Sequence, residues 1–187
     1  VDPVSHPHAA ARLPVGQGRV GDDEAGGLEF DEARMNGGGA ECERMAADLD
    51  DALRSGALGL STGLYYPPPR AAGADEFIAA GAPLRRHGGV VAMHLRDEAD
   101  QIDDALREGF RIGRALGVET VLSHHKLVGT RNHGRSAGTL AMIDEAAAAQ
   151  PVCLDCYPYA ASSTMLLAAR VRQSSEVLVT WSERDPK

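Results

Sequence analysis

Apolar and polar residues alternate along the chain in a pattern that predicts strands separated by helices. Two apolar, β-branched runs of strand length begin at residues 90 and 118, and they lead to His94 and His124. Between them, apolar residues at helical spacing predict a helix over 99–116. Because a strand, a helix and a second strand form a parallel pair, the carboxyl ends of both strands meet at one edge of the sheet. The two histidines are therefore candidates for one shared site.

The same patterns predict further elements at a regular pitch. Helices are expected at 40–55, at 75–87 with an interruption at Pro83, and at 136–150 with Ser136 as the N-cap. Strands are expected at 57–60, 151–155 and 177–181. The strands recur about every thirty residues, which is the pitch of a (β/α)8 barrel of about 250 residues. An α/β fold with about half of a TIM barrel is the prediction. A doubly wound sheet is the alternative, although no glycine-rich nucleotide loop favours it.

Composition narrows the class of protein. Hydrophobic residues make up 43% and charged residues 25% of the 187 residues, as in ordinary globular domains. A net charge of −8 argues against nucleic-acid binding, and no apolar run has the roughly 20 residues that a membrane span requires. Three cysteines do not form a disulfide framework, so we expect a cytoplasmic protein. Residues 1–39 lack periodicity and are left unassigned as an irregular lead-in, followed by a partial barrel domain at 40–187. The chain is expected to be cut at both ends.

The strand ends carry the candidate chemistry, because catalytic groups of barrels project from there. Imidazoles at equivalent positions of two consecutive units favour a zinc site over two hydrogen-bonded rim histidines. Successive side chains alternate, so His124 and His125 are expected on opposite sides, with Lys126 on the side of His124. Tyr65 and Tyr66 follow the first strand, and packing at the rim and contact with substrate are equally open for them.

Four segments in order resemble the D-aminoacylase (N-acyl-D-amino-acid deacylase) family of the metal-dependent amidohydrolase superfamily. They are residues 56–64, 94–98, 123–126, and 155–159 with 162–164, and the resemblance extends over about 40–181. It implies a zinc-dependent TIM-barrel hydrolase that cleaves the amide bond of N-acyl-D-amino acids to a carboxylate and a D-amino acid. This small molecule is the expected partner.

The resemblance also implies roles for individual residues. Zinc in this family is held by a cysteine and two histidines, and the two histidines match His94 and His124. An H-x-H pair contributes a weaker second metal site. The substrate α-carboxylate is held by a lysine, a tyrosine and a serine, which match Lys126, Tyr157 and Ser163.

Other parts of the family's machinery are not matched. The H-x-H pair and the cysteine precede the matched region, and the general-base aspartate is expected beyond Lys187. Asp155 lies on the wrong strand to replace it. The resemblance therefore implies roughly the second half of the barrel without its closing strand. The isolated chain is expected to be inactive and to associate through open strand edges and an uncovered apolar face. The alternatives are a dihydroorotase-like cyclic amidase and a catalytically inactive fragment.

Overall fold

The computed structural model describes residues 38–67, 69–164 and 168–177. Within them, four parallel strands form one sheet in the order β1-β2-β3-β4, so each strand pairs with the next along the chain. The strands are β1 (Gly59–Gly63), β2 (Val90–His94), β3 (Glu119–Leu122) and β4 (Val152–Leu154). The predicted α/β fold with a parallel sheet is confirmed. Residues 178–181 of the last predicted strand and most of the lead-in lie outside the described residues.

Helices connect the strands. They are α1 (Gly39–Arg54), α2 (Ala74–Ala80), α3 (Leu84–His87), α4 (Ile102–Leu116), α5 (Ser136–Ala147) and α6 (Ala168–Gln173). Short 3-10 turns lie at Pro69–Ala71 and Thr130–Asn132. The predicted helix at 75–87 is divided into α2 and α3, and Pro83 occupies the cap position of the second. Among the described helices, none is long and apolar enough to cross a membrane.

Two local expectations are wrong. Ser136 was expected to cap α5, but it is the first residue of the helix, with Arg135 at the cap position and no side-chain capping bond. The first strand lies two residues later than expected, because its register aligns Gly59 with Val90, and Leu58 is left 71% exposed.

Helices cover one face of the sheet, and the sequence of each strand shows which face. The residues directed towards the helices are buried and include Leu60, Val91, Met93, Thr120 and Leu122. The other face carries mainly small or polar residues, and Ser61, Glu119 and Cys153 on it are exposed, whereas Val90 and Val121 on it are half-buried. The expected uncovered apolar face stays a prediction: on the described strands its apolar part consists of Val90 and Val121, because most of the apolar residues alternate towards the helices.

Glycines bring α4 close to the sheet. A Cβ atom added at Gly113 would overlap the side chain of Thr120 on β3, and one at Gly109 would lie 2.9 Å from Met93 Sδ on β2. Only a residue without Cβ permits this approach. The contact fixes α4 against the two strands whose ends carry the candidate histidines.

A separate charged cluster joins α1 to α3, away from those strand ends. The side chain of Asp50 is 12% exposed, and its carboxylate accepts hydrogen bonds from His87 Nε2 at 2.8 Å and Arg86 Nη2 at 2.7 Å. The bond from His87, and then that from Arg86, holds the pKa of Asp50 below its ordinary value.

Candidate metal centre

The two predicted histidines meet at the carboxyl edge of the sheet. His94 is the last residue of β2, and His124 lies two residues after the end of β3. Their ring centroids are 4.2 Å apart, with an angle of 71° between the ring planes. The predicted convergence of the two imidazoles is therefore present in the structure.

A tight turn, not a continuous strand, directs the His124 ring towards His94. The φ angle of His124 is +43°, which lies in the left-handed region. Asp155 stabilises the turn, because its Oδ1 accepts the His124 backbone N–H at 2.6 Å and its own N–H donates to Leu122 O at 3.2 Å. Asp155 thus acts on the shape of the site through the backbone, a role that the sequence did not indicate.

Glu98 lies at the centre of the site, and sequence reasoning assigned it no role. The residue is 3% exposed. Its Oε1 atom lies 3.4 Å from His94 Nε2 and 3.3 Å from His124 Nδ1. The only available signal was an acidic residue four positions after His94. That spacing is informative on a helix, whereas these residues belong to a loop.

The donor set fits a divalent metal ion. Ligand atoms of His94, Glu98 and His124 all lie within 4.8 Å of one another. Two imidazole nitrogens and one carboxylate oxygen are a ligand combination found in catalytic zinc sites. Glu98 is buried and the two histidine side chains are 17% and 29% exposed, so an ion held by them would be partly shielded from water and would also feel the neighbouring charges.

Lys126 is the neighbouring charge. Its ammonium group forms an ion pair with Glu98 Oε1, lies 2.8 Å from His124 Nδ1 and donates to His124 O at 3.1 Å. The predicted placement of Lys126 on the side of His124 is confirmed. The Lys126 side chain is 19% exposed, so it remains accessible to a small molecule.

The other predicted carboxylate contacts follow β4. The ring centroid of half-buried Tyr157 lies 5.8 Å from Lys126 Nζ. Ser163 is exposed. The contact from this loop towards the site is made by its neighbour Thr164, whose Oγ1 lies 2.8 Å from Tyr66 Oη.

His125 points away from the His124 ring, as expected, although the two residues follow the end of β3 and belong to a turn instead of a continuous strand. Its Nε2 atom lies 3.0 Å from Thr139 Oγ1 on α5. Burial lowers the pKa of His125 below its usual value, an effect that Glu98 partly opposes. This histidine is therefore assigned to packing against the helix and not to the metal centre.

Tyr65 and Tyr66 pack beside the ring of His94. The ring centroids of Tyr65 and Tyr66 lie 5.5 Å and 5.1 Å from that of His94. The tyrosines contact each other edge to face at 5.0 Å. Both rings pack directly on a candidate metal ligand, so they belong to the site and not only to the rim.

A parallel α/β sheet with imidazoles and a carboxylate at its carboxyl edge has the architecture of metal-dependent hydrolases built on barrel folds. Comparison with known proteins specifies the group. N-acyl-D-aspartate deacylase of Alcaligenes xylosoxydans xylosoxydans is 56% identical over 149 residues, which are 79% of this chain and 30% of that protein. D-aminoacylase of the same organism is 49% identical over 148 residues, which are 78% of this chain and 31% of that protein. No protein-family model matches the chain.

Solved structures agree with these relatives. A crystal structure of D-aminoacylase, described as defining a novel subset of amidohydrolases, superposes with a TM-score of 0.65 and 52% identity, covering 66% of this chain and 26% of that one. N-acyl-D-glutamate deacylase from Bordetella bronchiseptica, in complex with zinc and a phosphonate inhibitor, gives a TM-score of 0.69 with 40% identity, over 73% of this chain and 29% of that one. The chain is homologous to part of the D-aminoacylases, which are amidohydrolases, and it spans about 30% of the length of the curated relatives it matches. The resemblance inferred from the four segments is confirmed.

Proposed function

We propose that this chain serves the metal-dependent hydrolysis of the amide bond of N-acyl-D-amino acids, giving a carboxylate and a free D-amino acid. The observation that carries the proposal is the convergence of His94, Glu98 and His124 beside the ammonium group of Lys126. A metal site next to a cation suits a substrate that carries both a scissile carbonyl and a carboxylate. The relatives, which are deacylases of N-acyl-D-aspartate and N-acyl-D-glutamate, support this substrate class.

In this proposal His94 and His124 hold zinc, with Glu98 as an additional donor or as the carboxylate that orients both rings. When bound, the metal supplies a Lewis acid for the scissile carbonyl and lowers the pKa of a bound water towards about 7. The buried Glu98 carboxylate contributes negative charge where two neutral imidazoles alone would hold a cation weakly. Zinc in the N-acyl-D-glutamate deacylase structure supports this choice of metal.

Lys126 holds the substrate α-carboxylate, with help from Tyr157 and Ser163. A lysine ammonium group has three donors. Those of Lys126 face Glu98 and His124, and its Nζ atom lies 5.8 Å from the centre of the Tyr157 ring. Fixing the carboxylate next to the metal centre would determine which amide is presented for attack. Exposed Ser163 remains the least supported member of this group, because the described contact comes from Thr164.

The fold and location follow the same reasoning. We infer that the sheet is part of a TIM barrel, roughly its second half, because its strands are parallel, paired in chain order and covered by helices on one face. Residues 40–187 would form this partial domain, with 1–39 outside it. Cys42, Cys153 and Cys156 form no disulfide with one another, which supports a reducing, cytoplasmic location.

A second candidate is a segment that binds metal or substrate without catalysing hydrolysis. Among the described residues, the carboxylates nearest to the two histidines already have structural partners: Glu98 pairs with Lys126, and Asp155 accepts the His124 N–H. Proton transfer to the leaving amine would then require a group outside the described residues. Relatives that are deacylases disfavour the cyclic-amidase alternative.

Zinc binding tests the metal site directly. Zinc affinity is measured by competition with a chromophoric chelator for the wild-type chain, for His94→Asn, and for a control at exposed His133, His133→Asn. The expected result is one zinc per chain, with affinity lowered by at least about 100-fold in His94→Asn, since a lost ligand costs more than the 10–100-fold of an outer-shell change. Unchanged zinc affinity in His94→Asn would overturn the assignment.

Hydrolysis tests the substrate class. N-acetyl derivatives of D-aspartate, D-glutamate and D-methionine are incubated with a zinc-loaded deacylase that carries this segment, each beside its L enantiomer, and the released amino acid is quantified by chromatography. We expect any activity to be confined to the D enantiomers. Turnover of the L enantiomers at a similar rate would contradict the proposed substrate class.

A further inference from the structure

We propose that Arg96 is a positioning residue for this site, because it fixes the loop whose two tyrosines pack on His94. The inference rests on the proposed function, in which His94 is a metal ligand. Arg96 follows His94 by two residues, yet its side chain does not enter the cluster of imidazoles and carboxylate. It extends instead towards α4 and the loop after β1.

Helix α4 anchors one side of the guanidinium group. Arg96 Nε donates to Glu108 Oε2 at 2.8 Å, and Nη2 donates to Glu108 Oε1 at 2.7 Å, which is a bidentate pair. The two side chains are 25% and 19% exposed. A bidentate arginine–carboxylate pair has defined geometry as well as charge. Because Gly113 and Gly109 fix α4 against the sheet, Glu108 is a rigid support.

The other side of the guanidinium group holds the loop after β1. Nη2 donates to Ala72 O at 2.7 Å, and Nη1 donates to Arg70 O. Four hydrogen bonds in two directions thus use the planar fork of arginine, a pattern that the single ammonium group of lysine cannot reproduce. Arg96 therefore ties the loop to α4 across the end of β2.

Arg70 connects the restrained loop to the two tyrosines through hydrogen bonds. Its backbone N–H donates to Tyr66 O at 2.9 Å, and its side chain donates to Tyr65 O at 3.5 Å. The Arg70 guanidinium carbon also lies 5.8 Å from the centre of the Tyr65 ring. The rings of both tyrosines and of His124 pack around the His94 ring, at centroid distances of 5.5, 5.1 and 4.2 Å. Release of the loop would free the His94 ring to rotate away from a shared ion.

The test uses a peptide bond that Arg96 itself restrains. Trypsin cleaves after arginine, and the carbonyl of the exposed Arg70 is one that Arg96 binds. Cleavage of the 70–71 bond requires the loop to open, so its rate reports the restraint. The variants are Arg96→Lys and a control, Arg107→Lys, whose side chain is 64% exposed and, among the described residues, pairs with Asp104 in the same helix at 2.9 Å.

Three measurements on each variant test the inference, after circular dichroism has confirmed folding. We expect Arg96→Lys to raise the cleavage rate at the 70–71 bond by about tenfold or more, and to weaken zinc binding by a similar factor. The visible spectrum of bound Co²⁺ should also change, because it reports ligand geometry. Arg107→Lys should leave all three readouts at wild-type values.

Each other outcome is informative. Unchanged cleavage in Arg96→Lys would show that the loop is held by other contacts and would overturn the inference. Faster cleavage with unchanged zinc affinity and Co²⁺ spectrum would show that the loop does not position His94, which also overturns it. If the wild-type chain binds no zinc, the proposed function fails and the inference fails with it. If Arg96→Lys does not fold, Glu108→Gln replaces it, with smaller changes in the same direction expected and their absence counting against the proposal.

Discussion

Replacing Glu98 with glutamine tests whether a buried carboxylate organises the metal centre. Glu98→Gln keeps the shape of the side chain but removes the charge that faces the Lys126 ammonium group. Two unit charges about 4 Å apart near a protein surface interact by about 4 kcal/mol at an effective dielectric constant of 20. The amide oxygen can still accept a hydrogen bond from lysine, and Lys126 is 19% exposed. We therefore expect the free energy of unfolding to fall by about 2 kcal/mol, within the range for a lost hydrogen bond to a charged group.

Urea denaturation in the absence of metal measures this change as a shift of the midpoint at constant slope. Glu145→Gln on the exposed face of α5 is the matched control, and its effect should stay within about 0.5 kcal/mol. Lys126→Met and the double variant complete a mutant cycle, in which the double variant should be more stable than the sum of the single changes implies. A Glu98→Gln variant as stable as the wild type, or an additive cycle, would refute the role assigned to Glu98.

Four further outcomes are expected. In an active deacylase that carries this segment, Lys126→Ala should lower kcat/KM for N-acetyl-D-amino acids by about 10- to 100-fold, the equivalent of one charged hydrogen bond. Its zinc content should stay unchanged; loss of zinc would mean that Lys126 supports the metal site. The free energy of unfolding should fall as pH drops below about 4, since the folded-state pKa of Asp50 is lowered and its contribution is complete only above the unfolded-state value. Asp50→Asn should flatten that part of the pH profile, and an unchanged profile would contradict the assignment. Gly113→Ala should destabilise the protein by about 1–3 kcal/mol through overlap with β3. Gly138→Ala, where nothing lies within 4 Å, should stabilise α5 by about 0.5–1 kcal/mol, and equal effects of the two in thermal melts would refute the packing argument. The 187-residue chain alone should lack deacylase activity and elute as associated species in sizing chromatography, because β1 and β4 have no outer neighbour among the described strands. A monodisperse, active monomer would contradict this.

The sequence predicted those features that local patterns determine. Periodicity located α1 and α4 to within a few residues, and Gly117 ends α4 in the left-handed conformation expected of a C′ glycine. The expected separation of His125 from His124 and Lys126 is also present, although a turn after β3 produces it and not strand alternation. These properties depend on neighbouring residues, so a single sequence contains them.

Features that depend on distant residues were not predicted. Asp103 was available for a pair with Arg107 on the same helix face. In the structure, however, Arg107 pairs with Asp104, and Asp103 pairs with Arg135, 32 residues away. Similarly, Glu98 follows β2 in a loop without periodicity, and only the meeting of β2 with β3 makes it central. A charged residue can be buried when other residues pair with it. For Glu98 those partners come from a different segment of the chain, so the local sequence does not reveal them.

The left-handed backbone at His124 restricts which residues can replace this histidine, whereas the backbone at His94 imposes no such restriction. Position 94 has ordinary strand geometry, so any ligand residue can occupy it without backbone strain. At position 124, asparagine, aspartate and glycine tolerate the conformation, whereas β-branched residues would be strained. Of the common metal ligands other than histidine, aspartate is thus the substitute that this backbone accepts most easily, and it offers hard oxygen in place of nitrogen. If the two histidines hold a metal ion as proposed, the backbone angle at His124 thus favours a replacement that would shift the centre towards cations that prefer oxygen ligands.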